Sequence, residues 1–413
     1  MRKPTLDRGV GMKARALAGA AVALAVTVAA CLSPHAADAA TTGFTVRGHH
    51  ILDNGQPWVP EGFTISTFQD PMLTYAPKEF ATVAAQLRAI KGAWHGNVVR
   101  IQVEQYAWLN GDNGHSAQVF RDKVTAVIAL AEQDGLAVVI NDQSEPEDGM
   151  SSLNEPLPTS ATLAFWKDLA PLYKGNPNII LDPFNEPRLL PAPNGPADGW
   201  AQWFKGSGPY ISENALIKAI RADGFTNQIW AEAPGNYALT ELGTTWPRYK
   251  LTDPDNNLVY TFHHTEVLQD ADPSVTGFNV QFGNLVTVRG LPVVDGEWTN
   301  RSVPFGTKGI VYKPSGDTQQ CWGNAPVSVP LFFSYLAARG IGITVWTLGP
   351  APTMPKVDYI NADGDNTTFT TANNYDNWLG CVTPEGGTTS GAGADLMNYF
   401  AAQSAATGLE PHS

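Results

Sequence analysis

The chain has 413 residues, 43% hydrophobic and 16% charged, with 26 Lys and Arg against 39 Asp and Glu for a net charge of −13 at pH 7. An acidic protein without a basic cluster repels nucleic acid and anionic polymers, which leaves a neutral substrate or partner. The length could hold two ordinary domains, but α/β barrels of ~250 residues or more fold as one unit, and one elaborated barrel is the simpler arrangement.

At the start of the chain, Lys13 and Arg15 precede a small-apolar run from Ala16 to Ala30, the pattern of a secretory signal. Two exits from it stay open: cleavage after Ala37-Asp38-Ala39, or a lipobox reading of Val28-Ala29-Ala30-Cys31 in which Cys31 is lipidated. A retained membrane anchor ranks last, because about 15 apolar residues fall short of the ~20 that span a bilayer. The division expected is a signal over residues 1–39 and a single barrel domain over 40–413. The protein is then secreted, or a lipoprotein held at the membrane through Cys31. Residues 1–39 carry five basic and two acidic side chains, so their removal deepens the net charge to −16.

Past the signal, Phe44-Thr45-Val46-Arg47 and Pro57-Trp58-Val59 flank Asn54-Gly55, a dipeptide suited to the positive backbone angles of a tight hairpin. This predicts a small β lid over the floor of a barrel. Strand-like runs then follow at Pro60–Ile65, Asn97–Val103, Leu136–Asn141, Ile179–Phe184, Gln228–Glu232, Leu258–Phe262, Leu291–Val294 and Ile341–Leu348. Between them, apolar residues recur at helical spacing over Pro77–Ile90, Gln118–Asp134, Ser160–Tyr173, Ile211–Ala222 and Val327–Arg339. Alternation of this kind predicts a parallel sheet, and eight strands are what a closed (β/α)8 TIM barrel requires.

After the eighth strand, Gly349 to Gly393 is rich in Gly, Pro, Asn, Asp and Thr and reads as a long loop over the active-site face. Asp363-Gly364-Asp365-Asn366 within it resembles a fragment of a calcium loop without the full ligand spacing, so a plain turn is expected. The glycine-rich stretch from Gly386 to Gly393 follows no strand and has no Lys, which excludes a phosphate cradle. Cys321 and Cys381 remain in the mature chain, and an oxidising compartment lets them pair as a disulfide, with two buried free thiols as the alternative. Neither Cys-x-x-Cys nor His-rich spacing suggests zinc.

Two apolar runs end in a glutamate: Asn178-Ile179-Ile180-Leu181-Asp182-Pro183-Phe184-Asn185-Glu186-Pro187 and Leu291-Pro292-Val293-Val294-Asp295-Gly296-Glu297-Trp298. A parallel barrel presents its active site at the C-terminal ends of its strands, so both side chains are placed for chemistry. Two carboxyl groups of opposite protonation state are what cleavage of a glycosidic bond needs. Asn154-Glu155-Pro156 repeats the tripeptide around Glu186 but lies in a loop before a helix, so Glu155 is set aside.

At these residues the chain resembles the cellulase-type glycoside hydrolases of family 5, and the likeness is distributed over most of the mature chain. The resemblance implies a (β/α)8 barrel with retaining chemistry and no cofactor or metal, acting on a carbohydrate substrate. Glu186 falls on the acid/base position and Glu297 on the nucleophile. Arg100, Asn185, His263 and Trp346 fall on further family positions, the arginine under the nucleophile and the indole against the face of a sugar ring. Two departures stand out: Gln143 where the family often has histidine, and Thr265 where it often has tyrosine. A β-glucan or cellulose-like chain is the first substrate implied, then mannan, xylan or a smaller glycoside.

Trp298, Tyr237, Trp322 and Trp108 follow predicted strands and offer sugar-stacking faces or ordinary packing. The other reading of Arg100 is a surface pair with Glu104. His263 adjoins His264, one of them being structural, and no third ligand at a recognised spacing supports a metal. The acidic run Asp142, Glu145, Glu147 and Asp148 reads as solvated loop. A monomer is expected. The rival from another class is a non-catalytic carbohydrate-binding barrel; a serine esterase is excluded by the absence of a Gly-x-Ser-x-Gly elbow.

Overall fold

The computed structural model describes residues 43–69, 74–75, 79–143, 155–189, 196–234, 249–264, 274–298, 325–348 and 392–407. The signal region with Cys31, the cysteines Cys321 and Cys381, the Asp363–Asn366 segment, and Tyr237, Thr265, Trp322, Glu145, Glu147 and Asp148 lie outside the described residues.

Eight parallel strands close into a barrel in chain order: β4 (Glu61–Phe68), β5 (Val98–Glu104), β6 (Ala137–Gln143), β7 (Ile179–Asp182), β8 (Ile229–Glu232), β9 (Leu258–Phe262), β10 (Val293–Trp298) and β11 (Gly342–Val345). The TIM barrel read from the alternation is therefore present. Helices α1 (Glu79–Lys91), α2 (Gln105–Asn110), α3 (Ala117–Gln133), α4 (Ser160–Leu169), α5 (Pro196–Lys205) and α6 (Glu213–Ala222) accompany the first four strands. After β9, α7 (Val275–Phe278) continues through a π turn into α8 (Asn284–Thr287); α9 (Ala325–Ala337) precedes β11 and α10 (Ala392–Thr407) follows it. Helix α4 ends earlier than predicted, because Pro171 lacks the N–H that would continue it, and the chain tightens into a 3-10 turn at Ala170–Tyr173. The C-terminal helix α10 was not expected; its Tyr399 hydroxyl donates to the Ile341 carbonyl at 2.7 Å, which docks it on the start of β11.

Before the barrel, β1 (Phe44–Arg47), β2 (His50–Asp53) and β3 (Gln56–Pro57) form an antiparallel sheet. Asn54 and Gly55 turn at φ 48° and 80° as the sequence demands, but they join β2 to β3, and β2 is a strand that the sequence reading passed over. Phe44, Ile51 and Trp58 from this segment pack with Val98, Ala137, Val139, Ile180, Trp230, Val259 and Val294. The lid thus plugs the floor of the barrel with apolar side chains.

Because strand side chains alternate faces, the residues two steps further along the same inward rows stand one layer higher. Val98 is followed by Arg100, Gln102 and Glu104, Val139 by Asn141 and Gln143, Ile180 by Asp182, and Trp230 by Glu232, all of them buried. The interior therefore changes from an apolar floor to a polar upper layer within two residues. The outward rows, including Val99, Ile101, Val103, Val138, Ile140 and Leu181, belong to the larger core beneath the helices.

The seventh strand departs most from expectation. It was predicted to stop at Val294 but runs to Trp298, with a register shift between Asp295 and Trp298. This bulge interrupts the alternation, so that Glu297 reaches the interior contacts with Arg100 and Gln102 while Trp298 turns outward, fully buried against Phe333 at 5.0 Å between ring centroids.

Two stability predictions follow from this packing. Trp58 is 7% exposed and lies 4.4 Å from Phe44 between ring centroids; Trp58→Ala should cost about 3–5 kcal/mol in denaturant unfolding, the range for emptying an aromatic from a core. Glu61 is buried at the start of β4, its Oε1 has no hydrogen-bond partner among the described residues, and burial pushes its carboxyl up to about 9. An acid whose folded value is raised binds its proton more tightly in the native state, so stability is lost as pH rises from ~4.5 toward that value. Glu61→Gln should leave unfolding unchanged at pH 4 and stabilise the protein progressively above it, by a few kcal/mol at neutral pH, on the order that such a shift implies. Equal Tm gains at pH 4 and pH 8 would contradict this assignment.

Candidate active site

Arg100, on the second barrel strand, is fully buried in the upper layer. Its Nε donates to Asp182 Oδ2 at 2.8 Å, its Nη2 to Asn185 Oδ1 at 2.8 Å and Glu232 Oε1 at 3.0 Å, and its Nη1 to Glu297 Oε1. One planar guanidinium thus joins residues from the ends of the fourth, fifth and seventh strands, a task for which its fixed fork of donors is suited. The pairing with Glu104 considered from sequence gives way to these three carboxylates.

Glu186 and Glu297 converge. With His263, just past β9, they bring one side-chain N or O atom each to within 4.8 Å of one another. His263 Nδ1 lies 2.9 Å from Glu186 Oε1 and 3.6 Å from Glu297 Oε2, and its Nε2 lies 3.1 Å from Glu232 Oε1. Gly296 makes room for the ring: a Cβ there would stand 3.2 Å from His263 Nε2. Glu186 has φ 50°, a left-handed conformation that costs a non-glycine residue roughly 1–2 kcal/mol. Its N–H donates to Glu232 Oε2 at 2.6 Å, which anchors that conformation.

Glu297 is the more enclosed of the two glutamates, its side chain 10% exposed against 27% for Glu186. Its Oε1 accepts from both Arg100 and Gln102, the latter at 2.7 Å. Gln102 also donates to Gln143 Oε1 at 3.1 Å, and its own Oε1 accepts from the Trp346 indole at 3.1 Å. Trp346 is half-buried at the end of the eighth strand, before a cis peptide bond to Thr347.

The electrostatics follow from burial set against pairing. Burial opposes the charge on Arg100, but Asp182, Glu297 and Glu232 outweigh it and raise the group above its ordinary value. For His263, burial likewise favours the neutral ring, yet Glu232 and Glu297, with the bonds to Glu186 and Glu232, lift it well above the usual imidazole range. The surrounding carboxylates thus favour the protonated, positively charged ring. Glu232 resists burial and is held low by His263, Arg100 and the Glu186 N–H. Burial pushes Asp182 up to about 7, with Glu232 adding to the push and Arg100 opposing it. Burial also pushes Glu297 up, His263 and Arg100 pull it back, and Glu186 and Glu232 add to the rise.

Glu186, His263 and Glu297 lie close enough to share a cation. A cation there would have to displace the proton that the carboxylates of Glu186, Glu232 and Glu297 favour on His263, and Arg100 already supplies positive charge to Glu297. The arrangement suits two carboxyl groups facing an uncharged substrate.

The structure gathers Glu186, Glu297, Arg100, Asn185, His263, Gln143 and Trp346 at one end of the barrel. It excludes two aromatic candidates. Trp298 points outward because of the bulge, and Trp108 is fully buried beside Phe165 with its indole donating to Asp168 at 2.8 Å, so neither presents a face to a sugar. His264 is the structural histidine of its pair, stacked on Phe332 at 4.2 Å. Asp142 is fully buried rather than part of a solvated loop, and burial with Asp182 and Glu104 nearby pushes its carboxyl well up. Glu155 is exposed. Glu232, Asp182 and Gln102 were missed. Glu232 ends the apolar run Ile229-Trp230-Ala231 and carries the same signal that singled out Glu186 and Glu297.

The geometry agrees with what comparison with known proteins finds. In solved structures the chain is similar to the catalytic domain of a mannanase from Streptomyces sp. SirexAA-E, at 20% identity over 78% of this chain and 85% of that one, with a TM-score of 0.54. It is also similar to a hyperthermophilic endocellulase from the archaeon Pyrococcus horikoshii, at 16% identity over 81% of this chain and 98% of that one, with a TM-score of 0.59. At such identities the likeness is one of fold. The model of the family described as cellulase (glycosyl hydrolase family 5) matches residues 53–352, and the chain belongs to that family of glycoside hydrolases.

Proposed function

We propose that the protein hydrolyses β-glycosidic bonds in a neutral polysaccharide with retention of anomeric configuration, Glu297 acting as nucleophile and Glu186 as acid/base. The observation that carries the reading is the approach of the two carboxyl groups, with oxygens within 4.8 Å. Retaining enzymes hold theirs about 5–5.5 Å apart, whereas inverting enzymes need ~6.5–9.5 Å to admit a water.

The roles divide by environment. Glu297 is enclosed and receives two donors on one oxygen, which leaves Oε2 free to form the bond to the anomeric carbon. Glu186 is more exposed, as a group must be that meets first the departing sugar oxygen and then a water. Four carboxyl groups (Asp182, Glu186, Glu232 and Glu297) share two cations, Arg100 and His263, and this imbalance favours retention of a proton in the cluster.

In the first step the carbon–oxygen bond to the leaving sugar breaks as Glu186 protonates that oxygen and Glu297 Oε2 bonds to the carbon. In the second, Glu186 takes a proton from water, the water oxygen bonds to the carbon from the face just vacated, and the ester to Glu297 breaks. Asn185, held by Arg100, is placed beside Glu186 to hydrogen-bond a hydroxyl next to the reacting carbon. The substrate we favour is a β-glucan, then mannan or xylan, in keeping with the endocellulase and mannanase among the similar structures. Export fits a polymeric substrate and is supported by the run from Ala16 to Ala30, with lipidation at Cys31 as the other form of it.

Glu297→Gln should abolish turnover on β-glucan in a protein that still folds, as a cooperative thermal transition would show. A 2-fluoro glycoside with a good leaving group should label Glu297 in the parent, and mass spectrometry of the peptide reads this. Glu186→Gln should slow hydrolysis of the polymer by ~10²–10⁴-fold, the usual worth of general acid catalysis, and spare glycosides with an activated phenol. NMR of the first product should show the β anomer before mutarotation; the α anomer, or full activity in either variant, would refute the assignment.

A further inference from the structure

Gln102 carries a polar network that the two glutamates alone do not explain. It is 1% exposed, and all three of its described contacts lie inside the barrel. The Trp346 indole N–H is a donor only, so it requires the amide oxygen of Gln102 to face it. The amide nitrogen must then point the other way, where one hydrogen reaches Glu297 Oε1 at 2.7 Å and the other Gln143 Oε1 at 3.1 Å. Neither hydrogen is spare, and the amide has one orientation.

We infer that Gln102 is a positioning residue for Glu297, locked by the Trp346 indole and by Gln143, and that it fixes which carboxylate oxygen is held and which remains open to the substrate. The inference rests on the reading of Glu297 as nucleophile and deepens it. Arg100 and Gln102 approach the same oxygen, so together they turn Oε2 toward His263 and the cleft. A residue on the eighth strand thereby controls one on the seventh through a side chain of the second. Among the described residues the charged and titratable groups facing Glu297 are Arg100, His263, Glu186, Glu232 and, two residues back on its own strand, Asp295; Gln102 adds a neutral donor that favours the carboxylate without changing the charge of the site.

The test pairs Gln102→Met, of similar volume without the donors, with Trp346→Phe, which keeps one aromatic ring and removes the indole N–H along with the rest of its five-membered ring. Two readouts are taken on the full chain. The first is kcat/KM against pH on an aryl β-glucoside; the second is the Glu297 carboxyl midpoint by carbon-13 NMR of labelled glutamate, assigned with Glu297→Gln. In Gln102→Met, kcat/KM should fall roughly tenfold to a hundredfold, the worth of one hydrogen bond to a charged group. The acidic limb and the NMR midpoint should rise together by about one unit. Trp346→Phe should move the midpoint in the same direction by less. An unmoved midpoint and acidic limb in folded Gln102→Met would overturn the inference. Should Gln102→Met fail to fold, the Trp346→Phe midpoint decides alone, a rise supporting the inference and no change overturning it. A midpoint that moves in a protein without glycosidase activity would support the positioning of Glu297 while overturning its role as nucleophile.

Discussion

The buried guanidinium of Arg100 is the contact on which the rest of the barrel mouth depends. It is surrounded by Asp182, Asn185, Glu232 and Glu297, drawn from three strands. Without it these carboxylates would face one another across a space with little water, and removing one member of a buried ionic set costs about 3–5 kcal/mol. His263 supplies the second positive charge from the sixth strand, between Glu186, Glu232 and Glu297. The two cations make a dense acidic cluster tolerable. They also leave it short of full neutralisation, which is the condition acid–base chemistry uses.

The apolar floor is what allows that cluster to exist. Side chains from six of the inward rows, together with Phe44, Ile51 and Trp58, fill the lower barrel. Burial there contributes the stability against which the polar layer above is a cost. The boundary between the two falls at a single step along each strand, Val98 to Arg100 or Ile180 to Asp182. Cohesion and chemistry thus occupy different depths of one structure.

How legible this was from sequence depends on the kind of feature. Strand runs such as Leu258–Phe262 were readable because continuous apolar residues leave few other arrangements, and the observed strand has those same limits. Glu186 and Glu297 were readable because each interrupts such a run where it ends. Glu232 carried the same mark and was passed over because nothing next to it suggested a partner. Gln102 and Asp182 could not be read at all: an amide or acid within a strand acquires meaning only when barrel closure brings residues 80 to 200 positions away into reach, as with Arg100 and Asp182 at a separation of 82 and Gln102 and Glu297 at 195. Trp298 was misjudged for a geometric reason, since strict alternation would have turned it inward and a one-residue bulge sends it out.

The plug beneath the barrel has a consequence for traffic. Trp58 and its apolar neighbours pack across the lower end of the barrel, so under the proposed function both the saccharide and the water that hydrolyses it come to the polar end. On the proposed mechanism, the water that completes each cycle arrives along the route vacated by the departing fragment. Clearance of that fragment and admission of its successor are two uses of one doorway.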